Sequence, residues 1–72
     1  MTSSQLVQNS RGSVLRQART TARISPQQLA QRMGCSRSTL WRYETGRQEL
    51  GAEAYETAIA ALAQLMVSRR AA

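Results

Sequence analysis

Lysine, histidine, aspartate and phenylalanine are all missing from this 72-residue chain, and Pro26, Cys35 and Trp41 are the sole residues of their kinds. Each absence excludes something. A zinc site needs about four cysteine or histidine ligands, and this chain offers one. Cys35 also has no imidazole to activate it as a nucleophile. A single cysteine cannot close an internal disulfide, so Cys35 reads as a small buried hydrophobe of a reducing compartment, with an intermolecular bridge as the alternative. No run approaches the ~18 continuous apolar residues of a membrane span. The opening Met-Thr-Ser-Ser-Gln-Leu carries neither the basic nor the apolar part of a signal peptide. A cytoplasmic chain is expected, with no enzyme activity, metal, cofactor, small-molecule ligand or membrane partner.

What is present is positive charge. Ten arginines oppose four glutamates, giving a net charge of +6. Arginine's planar fork matches phosphate oxygens and guanine edges, which lysine's point charge does not. A GC-rich coding bias explains the choice of arginine over lysine equally well, but not the excess of basic over acidic residues. That excess in so short a chain favours an anionic partner, either nucleic acid or a membrane surface. The membrane reading is the poorer one, because the basic residues fall on separate short segments rather than along one face of a long helix.

Strand signals are lacking, since β-branched residues never alternate over a useful length. Helical spacing appears instead, and predicts an all-α domain of four or five short helices. Residues 1–11 read as a polar N-terminal arm, residues 12–68 as the folded domain, and residues 69–72 as a basic tail. Between Gly12 and Ala22, the residues Leu15, Ala18 and Ala22 recur at three- and four-residue spacing. Ser25-Pro26-Gln27-Gln28 is a start signal: Ser25 caps, Pro26 suits the first helical position, and Gln28 completes a capping box. Leu29, Ala30 and Met33 form the inner face of this second helix, and Gly34 ends it. Ser36 caps a third helix over about 37–44, with Leu40 and Tyr43 inward and Arg37, Ser38, Thr39 and Arg42 outward. A fourth runs over about 52–68, its stripe formed by Tyr55, Ile59, Leu62 and Met66 with Ala58 and Leu65 alongside.

Two short helices joined by a tight glycine-containing turn, here over about 26–44, form a helix-turn-helix. The second helix of such a pair lies in the major groove with its first residues at base edges. In this chain those residues are Ser36-Arg37-Ser38-Thr39, all capable of hydrogen bonding.

From Leu15 to Leu62 the chain resembles the phage-repressor and Cro type of helix-turn-helix, the XRE family. The matching string is LRQAR followed by ISPQQLAQRMGCSRSTLWRYETG. Its specificity is joint: an arginine in helix one, S-x-x-x-L-A at helix two, M-G-x-S at the turn and Y-E-x-G closing helix three. The resemblance implies that Arg37, Ser38 and Arg42 read bases, while Gln27, Thr39 and Arg47 hold the DNA backbone. It further implies a salt bridge between Arg19 and Glu44, and Arg19 also suits the phosphate-binding surface. Three positions depart from the family pattern. Pro26 stands where a phosphate-contacting glutamine is usual, Arg23 where glycine commonly ends helix one, and Trp41 where a small or polar residue is usual. Trp41 is read either as stacking on the DNA beside the groove or as packing on a neighbouring helix.

Members of this family generally bind palindromic operators in double-stranded DNA as two-fold dimers. The homodimer interface is expected at Leu65, Met66 and Val67, which exceed what one small core can bury; the alternative is that this turn folds back on helix one. The function so implied is a repressor, Cro-like from a phage or plasmid, or the autorepressor of a small operon such as an anti-CRISPR operon. Activation remains open. The rival is an antitoxin that binds a protein toxin and regulates its own operon.

Overall fold

A computed structural model describes the backbone of residues 3–71 and the side chains of residues 11–69. Four helices follow one another: α1 (Ser3–Thr21), α2 (Pro26–Met33), α3 (Arg37–Glu44) and α4 (Ala52–Ala71). No strand occurs among the described residues.

Local chemistry explains most of the helix ends. Ser25 sits in extended conformation before α2, and its Oγ accepts the Gln28 amide at 3.1 Å. Gln28 Oε1 accepts the Ser25 amide in return, also at 3.1 Å, which closes the capping box. Ser36 does the same work for α3, its Oγ accepting the Thr39 amide. Gly34 and Gly46 take φ of 81° and 80°, the left-handed region that ends a helix without a Cβ penalty.

Arg23 also adopts φ 60°. Its amide donates to Thr20 O and that of Ile24 to Arg19 O, the paired bonds of a Schellman ending. The connection between α1 and α2 thus keeps the shape a glycine would give it, although an arginine has to bear the strain.

The outer helices are longer than the spacing predicts. α1 begins at Ser3 rather than near Gly12, because residues 3–10 hold no proline or glycine to stop a helix. α4 continues through the expected basic tail, so Arg69 lies within it. The Arg69 guanidinium folds back to donate to Ala22 O and Arg23 O, closing over the left-handed turn.

The core is built from Leu15, Leu29 and Leu40, one from each of the first three helices and all fully buried, with Ala30 from α2 and Ala58, Ala61 and Leu62 from α4. Ile24 and Leu50 complete it from the connections. Ala18, Met33, Cys35, Tyr43, Tyr55, Ile59 and Leu65 pack partly buried against this cluster. Cys35 is therefore half-buried, and burial pushes its thiol pKa up from the ordinary value of 9.0.

Gly12 lies inside α1, where the helix presses on the end of α3. A Cβ at this position would overlap the Tyr43 carbonyl oxygen. Only glycine lets the two helices approach this closely.

Candidate nucleic-acid interface

α3 presents its polar residues outward because Leu40 is drawn fully into the core. Arg37, Ser38 and Arg42 are exposed, and Thr39 is half-buried. Thr39 Oγ1 accepts from Ser36 Oγ at 3.0 Å and from Arg42 Nη2 at 3.4 Å, leaving its own hydroxyl proton available. Arg42 Nε donates to Gln48 Oε1 at 3.2 Å.

Arg19 and Glu44 tie α3 to α1. Arg19 Nε lies 2.8 Å from Glu44 Oε2 and Nη2 lies 3.0 Å from Oε1, a two-pronged pair. Nη1 donates to Ile24 O at 3.0 Å. The two side chains are only 10% and 6% exposed, so the pair is nearly dry and its partners must remain matched. The position of α3 against α1 is fixed at this joint.

Beside the pair is a cleft of about 160 Å³ bordered by Arg16, Arg19, Arg37, Trp41, Glu44 and Thr45, with Pro26 at the start of α2. Glu44 is neutralised by Arg19, so Arg16 and Arg37 leave the cleft cationic. Arg16 was not singled out by the sequence, although its spacing of three from Arg19 puts both on neighbouring turns of one helix.

Trp41 is 53% exposed, and the Arg47 guanidinium stacks over its ring at 4.8 Å from the centroid. The ring therefore forms a wall of the cleft and a rest for Arg47, and is not packed into the core. Gln27 is exposed in the first turn of α2. Pro26 has no amide proton, and the Gln28 and Leu29 amides bond to Ser25. The Gln27 amide is thus the one left in that turn for an outside acceptor.

The residues expected at the dimer interface are divided. Leu65 packs partly buried on this chain's own core. Met66 and Val67 are 45% and 65% exposed. Met66 borders an apolar groove with Val14, Gln17, Ala18, Thr21 and Ala22 of α1 and its end, and Val14 is itself 46% exposed.

No helix among the described residues is long and apolar enough to cross a membrane. No group of three or more metal-ligating residues comes together among them either. Neither the curated proteins nor the solved structures contain a significant match to the chain. A family model described as "Helix-turn-helix domain" matches residues 12–72, a span that includes all of α2, α3 and α4. With a capped pair of eight-residue helices, an outward polar face and a cationic cleft alongside, the chain belongs to this helix-turn-helix family and is a DNA-binding regulator.

Proposed function

We propose that the chain is a sequence-specific repressor of the phage-repressor and Cro type, binding a palindromic operator as a homodimer. The observation that carries this reading is the exposed polar face of α3, set by the Arg19–Glu44 pair beside a cationic cleft. Arg37, Ser38 and Arg42 read base edges in the major groove, since a forked guanidinium matches guanine O6 and N7. The Gln27 amide, the Thr39 hydroxyl, Arg47 on its Trp41 support, and Arg16 at the cleft hold phosphates, while Arg19 is committed to Glu44 and Ile24 O and serves the position of α3. These contacts set register and supply the salt-dependent part of affinity.

Dimerisation uses the exposed end of α4, with Met66 and Val67 as its apolar centre and Val14 of α1 beside them. Leu65 contributes little, because it is engaged at home. A dimer lying over a promoter excludes polymerase, which makes repression, including repression of its own small operon, the simplest output.

The experiment is binding of the purified protein to its own upstream DNA and to a scrambled duplex, by fluorescence anisotropy at two salt concentrations. Two protomers on a specific complex at least ~10³ tighter than the scrambled control support the proposal. Equal affinity for both duplexes, falling steeply with salt, would leave only electrostatic attraction and defeat it.

A further inference from the structure

Arg42 is held on two sides before any DNA arrives. Its Nε donates to Gln48 Oε1 at 3.2 Å, and its Nη2 reaches Thr39 Oγ1 at 3.4 Å. Thr39 is in turn fixed by the cap of its own helix, through the Ser36 hydroxyl. Gln48 is not a loose neighbour either. The left-handed turn at Gly46 reverses the chain, so the Arg47 and Gln48 amides both donate to Arg42 O, at 2.9 and 3.1 Å. Gln48 therefore grips residue 42 twice, by its backbone on the carbonyl and by its side chain on the guanidinium.

We infer that Gln48 is a positioning residue for base recognition, orienting the Arg42 guanidinium toward a guanine through the Nε hydrogen bond. This inference rests on the proposal that Arg42 reads a base. A guanidinium has five N–H donors, one on Nε and two on each terminal nitrogen. Gln48 and Thr39 take two of them. Both protons of Nη1 and one of Nη2 are left, enough donors for the end-on fork that spans guanine O6 and N7. The side-on fork, which uses Nε, is blocked by Gln48. Holding a long side chain in place also removes rotamer freedom that would otherwise be lost on binding. Specificity at one base pair thus depends on a residue in the α3–α4 connection, outside the helix pair itself.

The test uses the full chain and a duplex selected from a random pool by the wild-type protein. Dissociation constants are measured for that duplex, for each single base-pair change in it, and for a random duplex. Arg42→Ala identifies the base pair that Arg42 reads. Gln48→Ala should lose about five- to tenfold of the discrimination at that same pair, with random-duplex affinity and melting temperature unchanged. Gln48→Glu, which keeps an acceptor on Nε, should retain the preference while weakening all duplexes alike. The double variant should discriminate no worse than Arg42→Ala alone. If Arg42→Ala alters one preference and Gln48→Ala does not, the positioning role is wrong and base reading survives. Additive losses in the double variant overturn it too. If Arg42→Ala alters no preference, base reading by Arg42 fails and the inference falls with it.

Discussion

Arg23 and Arg19 show how differently two arginines of one turn contribute. Arg23 occupies a left-handed conformation at φ 60°, which costs a residue with a Cβ about 1–2 kcal/mol. Glycine avoids that cost but loses more freedom on folding. The net expectation for Arg23→Gly is a gain of about 0.5–1 kcal/mol, read as a higher urea midpoint with an unchanged slope. A lower midpoint would mean that the arginine side chain makes a compensating contact. Arg19, by contrast, is nearly buried against Glu44. Glu44→Ala leaves its charge in the interior without a partner and should cost about 3–5 kcal/mol. In a domain this small that is a large share of the stability, so thermal melts followed by circular dichroism should show a steep fall in melting temperature. Cys35 supplies a third residue-scale expectation. Its thiol pKa is raised by burial, so the folded state favours the protonated form. The associated stability is present below the unfolded thiol pKa and is lost as pH rises through the folded one. At neutral pH, alkylation of Cys35 should be slow in the native protein and speed up sharply in denaturant.

At the scale of helices, the point where α1 meets α3 gives the sharpest prediction. Alanine is a better helix former than glycine by about 1 kcal/mol, so Gly12→Ala would stabilise an isolated α1. In the folded chain its Cβ would collide with the Tyr43 carbonyl, and backbone yields far less than side chain. Overpacking of this kind costs about 1–3 kcal/mol, so the melting temperature should fall; a rise would mean that the two helices separate easily. The helix pair itself was legible in the sequence because its signals are local. Ser25 with Gln28, Ser36, and Gly34 each act within a few residues of their own position. The limits of α1 and α4 were not legible, since nothing in residues 3–10 or 69–71 marks a start or stop. Ile24 and Leu50 were missed as core residues because each is a lone apolar residue in a polar connection, with no periodicity to reveal it. The pairing of Arg42 with Gln48 and the reach of Arg69 to the α1–α2 turn depend on chain reversals, so spacing alone does not encode them.

For the molecule as a whole, the unresolved balance is between burying apolar surface at home and sharing it. The chain keeps Val14, Met66 and Val67 substantially exposed, and the first two line one groove. Val67→Glu changes nothing in the core, so the fold should survive while the proposed dimer dissociates. Light scattering should report the monomer mass, and operator affinity should drop with little change in melting temperature at low protein concentration. A variant of unchanged mass would place the interface elsewhere.

Trp41 gives the molecule an indicator of its own state. It is the only tryptophan, so emission excited at the red edge of protein absorption, where the two tyrosines scarcely absorb, comes from one ring. That ring borders the cationic cleft and carries Arg47 on its face. Any phosphate that draws Arg47 away, or any sugar that covers the ring, must change the polarity and the quenching around that one emitter. Unlabelled protein can therefore be titrated with unlabelled DNA and followed by its own light, with Arg47→Ala as the variant whose starting spectrum should already be shifted.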